Sequence, residues 1–137
     1  MSELTVQYNA LSAEEFIALW ESVWGQAPGP EQTALAMEHT LFRVSVYDGE
    51  RVVAMARLLG DMGLDYYIKD VVVRPEYQGR GLGRLLVDEL LRFIRAHGVP
   101  GTGIFVELCA APDKAAFYEK FGFDANEELR MKQMLRV

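Results

Sequence analysis

The sequence predicts an α/β (α+β) domain: a mixed, mostly antiparallel central sheet flanked by about four helices. Three observations carry that expectation. Asp48-Gly49 separates two runs rich in β-formers and signals a tight hairpin. The apolar run Val71-Val72-Val73 stops at Arg74-Pro75 and passes through a glycine-rich turn into a long amphipathic helix. A short apolar run, Ile104 to Cys109, follows that helix, and the right-handed crossover makes it parallel to the strand before the turn. At 137 residues, half of them apolar, the chain can bury one core and is too short for two ordinary ones. A single domain over residues 1–137 is expected.

The elements follow in order. Residues 4 to 8 alternate as a first strand. Ser12-Ala13-Glu14-Glu15 is a capping box, and Phe16, Ile17, Leu19, Trp20 and Val23 recur at helical spacing, so a first helix runs from about Ala13 to Val23. Gly25 to Pro30 breaks it, and Glu31 to Thr40 forms a second helix with Leu35, Ala36 and Met37 for packing. Phe42 to Tyr47 and Val52 to Leu59 are the hairpin strands. Tyr66 to Val73 is a fourth strand, stopped by Pro75. The third helix carries Leu82, Leu85, Leu86, Leu90, Phe93 and Ile94 on one stripe and ends at His97-Gly98, with Gly98 suited to a left-handed C′ position. After the fifth strand, Pro112-Asp113 opens a shorter helix to about Lys120, ended by Gly122, and Leu129 to Val137 alternates as a final strand.

Composition narrows the function classes. A formal net charge of −6 argues against a surface made for nucleic acid and suits a cationic small substrate better. No run approaches the roughly 18 apolar residues of a membrane helix, and the start Met1-Ser2-Glu3-Leu4-Thr5 lacks the features of a signal peptide. Together with a lone cysteine, Cys109, this predicts a cytoplasmic protein. His39, His97 and Cys109 are too scattered for a metal site.

The turn Gln78-Gly79-Arg80-Gly81-Leu82-Gly83-Arg84 joins a strand to a helix start, where unpartnered N–H groups and the macrodipole favour a phosphate. Glycines clear side chains from one face, and Arg80 and Arg84 add positive charge. Lysine and hydroxyl residues of a P-loop are missing, and glycines at alternate positions do not fit the dinucleotide fingerprint. A nucleotide-binding protein is therefore disfavoured.

Gln78-Gly79-Arg80-Gly81-Leu82-Gly83 resembles the Gln/Arg-x-x-Gly-x-Gly/Ala signature of the GNAT N-acetyltransferase superfamily. Val71-Val72-Val73-Arg74-Pro75-Glu76-Tyr77 is similar to the family's strand and turn ahead of the signature, and Ala116-Phe117-Tyr118-Glu119-Lys120-Phe121-Gly122-Phe123 to its second characteristic helix. With the strand-helix-helix-hairpin order ahead of them, the likeness covers nearly the whole chain. It implies a sheet splayed between the fourth and fifth strands with acetyl-coenzyme A in the gap, and a co-substrate site made of Val71, Val72, Val73, Gln78, Gly79, Arg80, Gly81, Leu82, Gly83, Arg84, Phe117 and Tyr118. Backbone groups of Val71 and Val73 would pair with the pantetheine arm, amides from Gly79 to Arg84 would hold the pyrophosphate, and an N–H near Val71 would hold the thioester carbonyl oxygen.

An amine with a pKa near 10.4 arrives as a cation and must lose a proton before it attacks a thioester, and the departing thiolate must gain one. The resemblance makes Tyr118 the acid. Where many relatives carry an early glutamate on the fourth strand, this chain reads Tyr66-Tyr67-Ile68-Lys69-Asp70, leaving Asp70 as the nearest carboxylate for the base. Glu107 and a water wire are the alternatives. Cys109 raises a ping-pong route, although a cysteine in an apolar strand is more often core. The acceptor would be a small-molecule amine held by the first helices and the loop after the third strand. Trp20, Trp24, Tyr66 and Tyr67 are candidates for its wall, with Asp61 or Asp65 attracting a cation. The resemblance admits a homodimer formed through the late strands, and a catalytically silent acyl-coenzyme A module is the alternative to an enzyme.

Overall fold

A computed structural model describes residues 3–137. The chain runs β1 (Leu4–Tyr8), α1 (Ala13–Trp24), α2 (Pro30–His39), β2 (Phe42–Asp48), β3 (Arg51–Gly60), β4 (Asp65–Val73), α3 (Leu82–His97), β5 (Phe105–Glu107) and α4 (Ala115–Glu119), with 3₁₀ turns at Pro75–Tyr77 and Pro112–Lys114. The five strands lie in sequence order, antiparallel from β1 to β4 and parallel between β4 and β5.

Two apolar layers sandwich the sheet. On one face, Leu82, Leu86, Leu90 and Ile94 of α3 recur every four residues and pack on Val44, Val46, Ala56, Leu58, Tyr66 and Ile68. On the other, Phe16 and Leu19 of α1 and Met37 of α2 cover Tyr47, Val52, Met55 and Val72. The capping box at Ser12 forms as expected: its Oγ accepts from the Glu15 N–H while the Glu15 carboxylate accepts from the Ser12 N–H.

One irregularity positions everything that follows. Across β3 and β4, Met55 faces Val72 and Arg57 faces Lys69, so Ala56 alone opposes Asp70 and Val71. Asp70 adopts φ +53°, unusual for a residue with a Cβ. The bulge reverses the alternation of β4: Tyr66 and Ile68 join the α3 layer, whereas Val72, an even number of positions further along the strand, joins the α1/α2 layer. The Asp70 carboxylate is fixed by Arg57, whose Nε donates to Oδ2 at 2.6 Å, the Arg57 side chain being 13% and the Asp70 side chain 8% exposed. Arg57 also donates from Nη1 to the Thr40 hydroxyl at 3.0 Å and lies 5.7 Å from the centre of the Phe16 ring. One guanidinium thus ties the bulge to α1 and to the end of α2.

The splay appears where the parallel ladder ends. Among the described residues only Asp65, Tyr66 and Tyr67 pair with β5, and from Ile68 to Val73 that edge of β4 has no strand beside it.

Two local expectations are corrected. Gly98 follows α3 as anticipated but is extended, at φ −69°, rather than left-handed. Glycine suits it for a steric reason, since a Cβ there would stand 2.6 Å from Ile104 Cδ1. Residues 129–137 form no strand: they lie outside the sheet with Leu129, Met131, Met134 and Leu135 exposed. Alternation is a property of residues, whereas a strand requires a partner edge, and this segment joins none.

Arg57→Met is expected to lower the unfolding free energy by about 3–5 kcal/mol in urea denaturation, because it leaves the Asp70 carboxylate buried without its partner. Adding Asp70→Asn should recover much of that loss, the signature of direct coupling.

Candidate active site

The glycine turn is anchored from behind. The Arg74 N–H donates to Val53 O at 2.8 Å and its Nε to Val52 O at 2.7 Å, while Tyr77 hydrogen-bonds the Asp48 carboxylate. The strand end, 3₁₀ turn and hairpin are therefore one rigid unit. Gly79 and Gly81 then take left-handed conformations, φ +78° and +82°, and a Cβ at either would stand in open space. Glycine is required for conformation there, and the space is left to a ligand.

The first intrahelical donor of α3 is Leu85, whose N–H reaches Gly81 O at 3.1 Å, and no side chain caps the helix. The N–H groups of Leu82, Gly83 and Arg84 consequently leave the helix start with no acceptor inside it. Such an array, at the positive end of a 16-residue helix, fits a pyrophosphate. Gly83 has a different reason to be glycine. A Cβ there would come within 3.3 Å of Phe117 Cζ, so its absence lets α4 close against the start of α3.

Beyond the turn lies a cleft of about 850 Å³. Its floor is the open edge of β4, Ile68 to Val73; one wall is the turn, Gln78, Gly79 and Gly81 to Arg84; the opposite wall is Leu108 to Ala111 with Phe117 and Tyr118. The far end is closed by Trp20, Val23 and Trp24 of α1, with Tyr67 and Arg130. The cleft thus gathers the residues expected to hold the co-substrate, together with Asp70, apart from Arg80. Arg80 folds back instead, its Nη2 donating to Glu76 O at 3.0 Å and its guanidinium lying 4.9 Å from the Tyr77 ring centre. Gln78 is held by its own turn, Nε2 donating to Val73 O at 3.0 Å.

Tyr118 is half-buried, edge-on to Phe117 at 4.9 Å and to Phe123 at 6.2 Å. Burial raises its pKa above the ordinary tyrosine value of 10.0, so the phenol keeps its proton throughout the neutral range. Asp70 lines the cleft with Oδ2 committed to Arg57, whereas Glu107 is exposed and does not line it. Cys109 is an exposed cleft residue rather than a core one; its sulfur accepts from the Tyr67 hydroxyl at 2.8 Å. Burial, and next that hydrogen bond, raise the Tyr67 pKa. Both histidines serve their own helices, His39 Nδ1 lying 3.1 Å from Leu35 O and His97 Nδ1 2.8 Å from Phe93 O.

The acceptor candidates separate. Trp20, Trp24 and Tyr67 line the cleft, but Tyr66 is buried in the α3 layer. Asp61 and Asp65 lie outside it, and the Asp61 carboxylate accepts from the N–H groups of Gly63, Leu64 and Asp65, which hold its pKa below the usual carboxylate range. It closes the loop rather than drawing in a cation. Arg57, Lys69 and Arg130 are site residues that the sequence reading passed over. For Arg57 a signal existed: an arginine inside the apolar run Val52–Leu59 implies a buried partner.

The family model described as the acetyltransferase (GNAT) family matches residues 8–123. The uncharacterized N-acetyltransferase ycf52 of Porphyra purpurea is 32% identical over 114 residues, covering 80% of this chain and 63% of that protein. The chloroplastic GCN5-related N-acetyltransferase 2 of Arabidopsis thaliana is 35% identical over 86 residues, 59% of this chain and 32% of that protein. The chain therefore spans less than two thirds of the length of these relatives. The 1.7 Å crystal structure of a protein from meticillin-resistant Staphylococcus aureus, described as a probable acetyltransferase, aligns with a TM-score of 0.85 at 28% identity, covering 98% of this chain and 100% of that one.

Gly81→Ala is expected to cost about 1–2 kcal/mol of stability by forcing a side chain into the left-handed region. Thermal unfolding measures that cost, and titration calorimetry of the same variant should show weakened acetyl-coenzyme A binding, since the strain falls on the residue that leads into the unpartnered N–H groups of α3.

Proposed function

The chain belongs to the GNAT acetyltransferase family, and on that basis we propose that it transfers the acetyl group of acetyl-coenzyme A to the primary amine of a small molecule, by direct attack in a ternary complex. The observation that carries this reading is the meeting, in one cleft, of an open strand edge, an unpartnered helix start and a half-buried tyrosine. Acetyl-coenzyme A, when bound, supplies the activated thioester.

The chain's own groups supply the rest. The N–H groups of Leu82, Gly83 and Arg84 bind the pyrophosphate, and the edge of β4 between Ile68 and Val73 pairs with the amides of the pantetheine arm. A backbone N–H at the bulge, near Val71, donates to the thioester carbonyl oxygen and stabilises the charge that develops there. Asp70, oriented by Arg57, receives the ammonium proton through its other oxygen, directly or through a water. Tyr118 holds the proton that the departing thiolate requires, and burial keeps it protonated until the pH exceeds 10. The cleft volume of about 850 Å³ suits a small acceptor beside the thioester arm. The lone cysteine is consistent with a reducing compartment such as the cytoplasm.

A thiol-release assay across a panel of amines, paired with calorimetric titration of acetyl-coenzyme A, tests the proposal; binding without turnover of any amine would indicate a silent module instead. Double-reciprocal plots are expected to intersect, whereas parallel lines would route the acetyl group through Cys109. Tyr118→Phe should lower kcat by more than about tenfold with little change in acetyl-coenzyme A affinity. In the wild type, any alkaline fall in kcat caused by Tyr118 should lie above pH 10, because a raised pKa delays loss of its proton. Asp70→Asn should lower kcat by more than about tenfold with little change in acetyl-coenzyme A affinity, a split that a purely structural Asp70 would not produce.

A further inference from the structure

The far end of the cleft has a chemistry of its own. Trp20 and Trp24 stand one turn apart on α1, with rings edge-on at 4.9 Å, and Tyr67 faces the same space from β4. The Trp20 indole N–H is committed to Gln26 O at 3.2 Å, which fixes its ring. These flat apolar faces suit an aromatic body.

The charges are the opposite of those that would hold a polycation. The carboxylates lining the cleft are Asp70, bound to Arg57, and Asp113, in the 3₁₀ turn ahead of α4. Lys69 and Arg130 also line it, and among the described residues neither forms an ion pair within 4.0 Å. Lys69 Nζ sits 5.8 Å from the Tyr67 ring centre, and Arg130 is close enough to Tyr67 to influence its hydroxyl. The bulge adds the decisive feature. Consecutive strand residues ordinarily point to opposite faces, yet here Asp70 binds Arg57, the residue directly across the ladder from Lys69, so a cation stands beside an anion on one side of the strand.

We propose that the acceptor is an aromatic amine that carries a carboxylate next to its amino group, an α-amino acid type of substrate. This deepens, and rests on, the acetyl-transfer reading above. The amino group lies toward Asp70, the carboxylate toward Lys69 and the planar fork of Arg130, and the ring against Trp20, Trp24 and Tyr67. A polyamine would set its additional ammonium groups against Lys69 and Arg130 with no carboxylate to receive them.

Trp20 and Trp24 are the only tryptophans in the chain, so intrinsic fluorescence reports occupancy of this end whether or not turnover follows. With coenzyme A present, phenylalanine, phenethylamine and spermidine should be titrated into the full chain. Phenylalanine is expected to change the emission with a Kd about tenfold below that of phenethylamine, and spermidine to leave it unchanged. Lys69→Ala and, separately, Arg130→Ala should shrink the phenylalanine advantage to about threefold or less, and thiol-release rates should follow the same ranking. The proposal is overturned if phenethylamine or spermidine binds as tightly as phenylalanine, or if phenylalanine produces no change. Absence of heat on titrating coenzyme A would defeat the acetyl-transfer reading instead, and the same fluorescence titration without coenzyme would still judge the aromatic carboxylate site.

Discussion

The arrangement of this molecule depends on one buried ion pair. Arg57 and Asp70 meet at 2.6 Å beneath the first two helices, at the point where β4 carries one residue more than β3 has to match. Without a partner the Asp70 carboxylate would be a buried, uncompensated charge, so the arginine and the bulge come as a unit. The bulge in turn transfers Val72 to the opposite layer and sets Lys69 and Asp70 side by side. Because the same guanidinium reaches Thr40 and Phe16, the end of α2 and the helix α1 that closes the cleft are registered against the strand that forms its floor.

The site is built from backbone groups left unsatisfied. Globular proteins pair nearly all such groups in their interiors, yet here an edge of β4 and the start of α3 both turn theirs toward one space. Neither feature is stable by local preference: the parallel ladder stops after three residue pairs, and left-handed glycines carry the chain into the helix. The rigid backing supplied by Arg74 and Tyr77 holds these groups in place without filling the gap in front of them.

What could be read from the sequence was local. The capping box at Ser12, the hairpin at Asp48-Gly49 and the stripe from Leu82 to Ile94 are short-range patterns, and each formed where expected. The glycine turn was legible because alternate glycines carry a conformational meaning of their own. What escaped depends on partners distant in sequence. Gly98 answers to Ile104 rather than to helix termination, and the alternating residues after Leu129 have no edge to join. Tyr66 and Tyr67 are alike in sequence, yet pleating sends one into the core and the other to the cleft. Arg57 was visible as an anomaly, but only the fold shows that its partner is Asp70.

The packing of Phe117 on Gly83 bears on how this site can change over evolutionary time. The residue beside the proposed proton donor rests directly on the residue whose N–H would bind phosphate. The two halves of the site are therefore not free to vary independently. A methyl group gained at position 83 would press on the tip of the Phe117 ring, next to Tyr118 in the chain, so a change on the phosphate side is felt on the side of the proton donor. Among the described residues, a Cβ at Gly79, Gly81 or Gly83 would meet none of Trp20, Trp24 and Tyr67, which leaves acceptor choice free to drift while the acetyl-handling half stays fixed.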